Sequence, residues 1–454
     1  MITQLRAQNF KSWQDTTTLQ FAPLTGLFGA NSSGKTSILQ MLLMLIQTSE
    51  SSDRHRVLHL GDERSLVDFG TFQDLLYTHN TDLTLKLALS WKLSKSLSLP
   101  RTLFTTNGAT KEFTFHTEIR EESDRILVEA FHYTTDTYKF GMQRENKDKK
   151  KGRNQYELIH DGFQVIRNQG RPWNLPPPVK CYGFPDEVSG YYQNLGFLSD
   201  FVLAFENLFT NIAYLGPLRE YPRRSYIWSG ERPQDVGVSG EEAIPALLAA
   251  RAEGMTSPRL VKVKRSHRPI EERILNWLKE MELIDSFSLE PIAENRNDYE
   301  FRIKKSRNSS EVLITDVGFG VSQLLPVLVL CYYVPENTTI ILEQPEIHLH
   351  PKVQSDLADV LIDVVKNRKV QIILESHSAL LLHRLQRRIA EKQIDAEETA
   401  LYFCQINDGT SEIERLKVDE YGNIRNWPQH FFGDDIGDLI KKTKAEMRRR
   451  KVMT

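Results

Sequence analysis

The sequence predicts an α/β fold that joins a parallel sheet to an antiparallel layer, and three observations predict it. A glycine-rich loop near residue 30 sits between an apolar strand and an apolar helix. Segments from residue 83 to about 165 alternate polar and apolar side chains, the period of strands with one solvated face. From Val312 onward, apolar strands alternate with helical patterns, the order of a parallel sheet.

The elements follow in chain order. Residues 2–21 alternate as a β-hairpin, residues 25–28 form a short strand entering the glycine turn, and residues 37–46 (SILQMLLMLI) form a strongly apolar helix. Residues 83–91 and 113–119 read as strands of the antiparallel layer, separated from later pieces by the charged run RENKDKKKGRN at 144–154. That run reads as a solvated turn, with nucleic-acid contact as the alternative. Proline concentrates in residues 171–188 and marks a boundary. Helical patterns follow at 191–208, 241–252 and 271–283, the last with a clear 3.6 period. Neither a fixed repeat nor sustained heptads occur between residues 80 and 310, which excludes a long coiled-coil arm. Residues 340–342 and 370–374 are expected as central parallel strands, and residues 324–334 as a buried helix. Four parts result: an N-terminal half at 1–170, an inserted, largely helical lobe at 171–310, a C-terminal half at 311–432 and a basic tail at 433–454.

Composition narrows the function classes. The 454 residues carry 60 acidic and 58 basic side chains, a formal charge of -2, so any contact with nucleic acid or an anionic membrane has to be local. Apolar residues make up 40%, and the mean hydropathy is -0.42, as in a soluble globular chain. The longest apolar run, 324–334, has 11 residues, short of the ~20 that span a bilayer. The start, MITQLRAQNFKSW, has no basic-then-apolar leader pattern. Cys181, Cys331 and Cys404 are far apart, without CxxC or Cys/His pairing, so neither a disulfide framework nor structural zinc is indicated. A cytoplasmic location without membrane contact is the expectation.

Residues 29–36, GANSSGKT, match GxxxxGK[ST] in full and stand between strand and helix. Glycines let the backbone curl so that N–H groups from Asn31, Ser32, Ser33, Gly34 and the helix start at Ser37 face phosphate. Lys35 reaches the β and γ oxygens of ATP, and Thr36 offers its hydroxyl to Mg²⁺. The strand-like IILEQPE at 340–346 ends in carboxylates, of which Glu343 is placed to orient the Mg²⁺ shell. A second apolar strand ends in Glu375-Ser376-His377, which puts His377 within reach of the γ-phosphate. Upstream, Gly318, Gly320, Ser322 and Gln323 open the apolar helix and form a second anion site.

In this order the motifs NFKSW, GANSSGKTS, VGFGVSQLLPVL, IILEQPEIHLHP and IILESHS resemble an ABC-type ATPase head of the SMC, RecF and overcoming-lysogenization-defect (OLD) kind. YLGPLREYPRR at 214–224 and NIRNWPQHFF at 423–432 are similar to a prokaryotic branch of AAA-family ATPases with a C-terminal domain of unknown function. The resemblance covers roughly residues 1–80 and 310–432. It implies an ABC-type P-loop head with an antiparallel N-terminal layer and an inserted helical/β lobe. It also implies homo-oligomers in which two heads sandwich two ATP molecules, each phosphate loop facing the other chain's signature. The signature lacks the usual serine-glycine-glycine order, so either Gly320 or Ser322 would contact the trans phosphate. Gln73 in VDFGTFQDLL would serve as the Q-loop glutamine that senses Mg²⁺. His348 and His350 in IHLHP would lie on the D-loop at the dimer interface, in preference to a zinc site.

Similar ATPases carry glutamate, the general base, where this chain has Gln344, and an amide cannot accept that proton. Three readings stay open. Glu346 takes over as base, Gln344 orients water without deprotonating it, or hydrolysis is slow and binding is the main event. Arg219, Arg223 and Arg224 suit phosphate, of ATP or nucleic acid, with plain surface charge as the alternative. The basic tail KKTKAEMRRRKVMT at 441–454 reads as solvated or as a contact for nucleic acid or a partner. With no Toprim-type or HNH pattern, a built-in nuclease is not expected. The function expected is a slowly hydrolysing ATPase acting as a nucleotide-switched sensor in an anti-phage system, with a separate effector protein and a DNA or phage-derived trigger. The alternative is a DNA-repair head of the RecF/SMC type that clamps DNA directly.

Overall fold

Two large sheets organise the chain, and the computed structural model describes residues 1–98, 109–135, 138–145, 155–161, 165–170, 174–261 and 264–428. The charged run beyond Glu145, the last residues of the segment 423–432 and the basic tail lie outside the described residues.

Six strands form the central sheet, in the order Ile212–Leu215, Thr339–Glu343, Gln371–Ser376, Leu24–Gly29, Thr399–Asn407, Thr410–Arg415. The first five run parallel, and the last closes an antiparallel hairpin on its neighbour. Three interior strands, Leu24–Gly29, Thr339–Glu343 and Gln371–Ser376, are buried along their whole length, which is why they read as apolar runs. Their side chains still divide by parity. Ile341 and Ile373 enter one core, whereas Ile340, Leu342, Ile372 and Leu374 enter the other.

The antiparallel layer has eight strands. Seven lie in the order Trp13–Asp15, Ile2–Phe10, Leu85–Ser98, Ala109–Glu122, Arg125–Thr134, Lys139–Arg144, Tyr156–Asp161, and Leu19–Gln20 pairs with Ile2–Phe10. The helix Lys35–Glu50 buries Ile38, Leu39 and the run Met41 to Ile46 in the core this layer shares with Ile341 and Ile373. A helix apolar on every side is one covered on every side. On the opposite face of the central sheet, the helices Phe319–Tyr333, Pro351–Arg368 and Ala379–Ala390 complete the second core.

The segment 171–310, expected as one largely helical lobe, is distributed between both cores. Its helix Leu198–Phe209 packs under the antiparallel layer, while the helices Ala243–Ala252 and Ile270–Glu280 join the second core. It also holds the antiparallel pair Ser286–Pro291 and Asp298–Lys304, and its strand Ile212–Leu215 forms an edge of the central sheet. Four apolar residues (IAYL), just beyond the helical pattern at 191–208, are too few to carry a period of their own, so the sequence did not mark them as a strand.

Gln371 joins the two sheets. Its side chain accepts from Ile2 N (2.9 Å) and Thr339 Oγ1 (3.0 Å) and donates to Ile2 O (2.7 Å) and Ala22 O (3.2 Å), all in the interior. Gln371→Leu leaves the Ile2 amide and carbonyl buried without partners, and is expected to lower the unfolding free energy by roughly 2–4 kcal/mol. Urea unfolding followed by circular dichroism measures it. A loss below about 0.5 kcal/mol, the scale of an ordinary surface substitution, would show that the sheets hold together without this bridge.

Candidate nucleotide site

The phosphate loop takes its shape from residues that tolerate positive φ. Gly29, Ser32 and Gly34 lie at φ 142°, 60° and 88°. A Cβ at Gly29 would stand 2.0 Å from Cys404 O, and one at Gly34 would stand 2.6 Å from Ser411 Oγ and 2.8 Å from Trp13 Nε1. Only glycine fits either place. The helix Lys35–Glu50 starts with no side-chain cap and no acidic residue in its first turn, so its positive end is open to an anion. Asn31 and Ser32 are exposed, Ser33 is buried and Ser37 is half-buried.

Lys35 is buried, and its Nζ donates to Ala30 O (2.6 Å) and reaches Ser33 Oγ (3.4 Å) and Glu375 Oε1 (3.8 Å). Burial pulls its pKa down, against the pull of Glu375. Thr36 Oγ1 donates to Glu375 Oε2 at 2.7 Å. Glu375 therefore stands between the two side chains that the motif assigns to phosphate and Mg²⁺.

Register explains how the carboxylates converge. Glu343 and Glu375 are Cα partners on adjacent parallel strands, and Ser376 pairs with Phe28 just before the loop. Glu343 is 5% exposed and accepts from the Tyr214 hydroxyl at 3.0 Å. Burial, then the charge of Glu375, pushes its carboxyl up to about 7. Glu346 accepts from His377 N (2.6 Å) and Ser376 Oγ (2.8 Å), and its other oxygen is buried without a hydrogen-bond partner among the described residues. Burial raises the Glu346 and Glu375 carboxyls as well. His377 Nε2 stands 3.8 Å from Glu375 Oε1, and burial with the nearby Lys35 charge lowers its pKa. Gln344 adopts φ 43°, its N–H donates to Glu375 O at 2.9 Å, and its amide side chain favours the ionised Glu375 carboxylate.

Other expected site residues stand apart. Gln73, on the short helix Phe72–Leu75, is exposed and donates to His79 O at 3.2 Å; no described hydrogen bond joins it to Thr36 or Glu343. Gly318 precedes the helix Phe319–Tyr333, which has no side-chain cap. A Cβ at Gly318 would meet nothing, and one at Gly320 only Leu283 at 3.9 Å, so this helix start is open. Ser322 Oγ donates to Phe319 O (2.9 Å), and Ser322 and Gln323 are largely buried. No described hydrogen bond links these four residues to the chain's own phosphate loop. His350 caps the helix Pro351–Arg368, accepting from Lys352 N at 3.3 Å.

Three residues that the motif reading left without a fixed role belong to the cluster: Glu375, Tyr214 and Arg219. Glu375 was visible as the polar end of an apolar strand. Tyr214 opens the YLGPLREYPRR motif but had no role assigned, because its contact with Glu343 depends on the pairing of strands far apart in sequence.

The residues fit Mg²⁺ and ATP. Buried carboxylates with raised pKa, one oxygen lacking any partner, lie beside an uncapped helix start and a lysine. No group of three or more His, Cys, Asp or Glu among the described residues is arranged to hold a metal unaided. Mg²⁺ suits such a place, since it takes one or two carboxylates together with phosphate oxygens and water. Thr36 and Glu343 would hold it.

Strand order and site together define an ABC-type P-loop ATPase head: one strand separates the phosphate-loop strand from the Glu343 strand, and an antiparallel layer covers the first helix. A family described as an AAA ATPase domain matches residues 1–169 and 255–382, about two thirds of the chain, and the chain belongs to that family. A family described only as a protein of unknown function matches residues 394–441. No curated protein matches in sequence. Similar solved structures include an SMC head bound to the C-winged helix domain of ScpA, at 13% identity and TM-score 0.46, covering 92% of this chain and 98% of that one. The SMC head domain from Thermotoga maritima shows 11% identity and TM-score 0.41, with 92% and 99% covered. An SMC head with an extended coiled coil, bound to a ScpA C-terminal domain derived from Pyrococcus furiosus, shows 11% identity and TM-score 0.42, with 92% and 96% covered.

The Glu343 shift sets a pH dependence. Its folded pKa, about 7, lies above the ordinary 4.5. The folded chain therefore keeps a proton that the unfolded chain has lost, and stability falls as pH rises from 4.5 through 7. Glu343→Gln removes that cost, so the nucleotide-free variant should exceed wild type by roughly 1–3 kcal/mol at pH 8 and by little at pH 5. Denaturant unfolding at both pH values checks this. An equal difference at the two would contradict it.

Proposed function

We propose that the chain is an ATP-binding, slowly hydrolysing ABC-type ATPase that acts as a nucleotide-switched sensor or scaffold in prokaryotic anti-phage defence. An effector, nuclease or toxin, resides on a separate chain, and DNA or a phage-derived molecule is the trigger. The observation that carries the nucleotide reading is the convergence of Lys35, Thr36, Glu343 and Glu375 at the carboxyl ends of three adjacent parallel strands.

Mg²⁺, held by Thr36 and Glu343, would neutralise charge on the phosphate oxygens. Lys35 supplies a cation to the phosphate oxygens, and Thr36 and Glu343 fix the metal side. His377, its pKa lowered by burial and the Lys35 charge, is placed to offer a hydrogen bond to phosphate. Slow turnover is supported by the groups beside the attacking position. Gln344 is an amide held against Glu375, and Glu346 is committed to Ser376 and His377 N–H. The amide cannot take a proton from water, and Glu346, two residues along the turn, keeps one oxygen committed and one without a partner among the described residues. Turnover well below the ~10 s⁻¹ median of enzymes follows, with the ATP-bound assembly as the long-lived state.

The open start of the helix Phe319–Tyr333 supports a composite site in which Gly320 or Ser322 of a second head completes the phosphate shell. The defence role is supported by the sequence resemblance to OLD-like ATPases.

Lys35→Ala is expected to abolish ATP binding in an equilibrium assay, since the phosphates lose their cation; undiminished affinity would remove the phosphate-loop reading. Mixing Lys35→Ala with Ser322→Ala protein should recover part of the ATPase activity that each lacks, because one of the two sites in a mixed pair is intact. No recovery between chains shown to exchange would contradict the composite site. In cells carrying the native locus, Lys35→Ala should abolish protection in plaque assays. Retained protection would sink the nucleotide-switched defence role.

A further inference from the structure

Of the three arginines in GPLREYPRR, the structure separates one from the others. Arg223 is exposed and hydrogen-bonded to Glu220, and Arg224 is exposed with Asp316 at 3.8 Å. Both behave as surface charge. Arg219 is only 8% exposed, and all three of its guanidinium nitrogens are buried without a hydrogen-bond partner among the described residues. The groups that act on its charge are Tyr214, Glu343 and Glu346, which places it beside the carboxylate cluster. Burial without partners lowers its pKa to about 10. An arginine presents five donors in a planar fork, and leaving them buried and unmade costs free energy that a structural role would not explain.

The backbone holds this side chain in place. Arg219 follows the strand Ile212–Leu215, whose Leu215 pairs with Leu342, the residue before Glu343. Gly216 N–H donates to Val238 O (2.8 Å) and Glu220 N–H to Ser239 O (2.9 Å), so the turn is pinned on both sides of Arg219. A Cβ at Gly216 would stand 3.1 Å from the Tyr214 hydroxyl, the group that donates to Glu343. Two residues beyond Arg219, the exposed Tyr221 ring meets the exposed Phe319 ring at 5.9 Å, at the start of the helix that carries Ser322. One short turn thus touches both the carboxylate cluster and the signature helix.

We propose that Arg219 binds the terminal phosphate of the nucleoside triphosphate, so that the site distinguishes ATP from ADP through a fork supplied by the edge strand. The inference rests on the nucleotide site described above. Its chemistry needs no covalent step: the guanidinium donates to γ-phosphate oxygens, as a bidentate fork suits phosphate better than an ammonium does. ADP lacks that group and leaves the fork unfilled.

The test compares binding of ADP with that of a slowly hydrolysed ATP analogue, both with Mg²⁺, by calorimetry on wild type, Arg219→Met and Arg219→Lys. Wild type should bind the triphosphate more tightly. In Arg219→Met the ratio of the two affinities should fall by about tenfold to a hundredfold, the worth of charge-assisted hydrogen bonds, with ADP affinity within about threefold of wild type. Arg219→Lys should lie between, and it carries the test if the methionine variant does not fold. Thermal midpoints without nucleotide should not drop, because the charge removed was one the fold held at a cost. A wild-type ratio retained in either folded variant, equal losses for both nucleotides, or equal affinities in wild type would overturn the assignment to Arg219. Wild type that binds neither nucleotide would instead overturn the site itself.

Discussion

Negative charge held out of water at the ends of parallel strands is the constraint on which the rest of the structure depends. Glu343 and Glu375 are brought side by side by the pairing of their strands, and Glu346 returns on a turn pinned by Ser376 and His377. Burial disfavours the ionised form of each. Lys35 touches only Glu375, and Arg219 touches none of them within hydrogen-bond distance. The nucleotide-free fold therefore carries carboxylates that are poorly compensated, a cost that a bound Mg²⁺ would lower.

The surrounding architecture keeps this arrangement from relaxing. Gln371 ties the first strand of the chain to the strand that carries Glu375, across 369 residues of sequence. The antiparallel layer and the helix Lys35–Glu50 share one core with the central strands, so the loop cannot shift without disturbing apolar packing. Glycines at positions 29 and 34 fix the loop against Cys404 and Ser411, far from it in sequence, and against Trp13. The loop is thus anchored to both sheets.

Much of this was legible in the sequence, for identifiable reasons. The phosphate loop declared itself because its glycines, lysine and threonine are demanded by local geometry, and the central strands because burial on both faces leaves unbroken apolar runs. Within the segment 171–310, expected as largely helical, short strands such as IAYL were not marked, because they are placed by partners more than a hundred residues away. Glu375 was visible but carried no assigned role, since its contact with Thr36 depends on strand order. Arg219 could not be told from Arg223 and Arg224, because type and spacing are alike and only burial separates them. Gln73 had the position of a sensor glutamine in its motif, yet it makes a local bond to His79 O instead.

Burial keeps a proton on the carboxylate cluster that Mg²⁺ with nucleotide would displace. At pH 7, Glu343 with a pKa of about 7 is close to half protonated, and a metal requires it ionised. Calorimetric titration of wild type with Mg²⁺ and the ATP analogue, in buffers of different ionisation enthalpy, counts the protons exchanged. Wild type is expected to release protons on binding, and Glu343→Gln to lack that release. No proton release from wild type, or the same release from the variant, would contradict it.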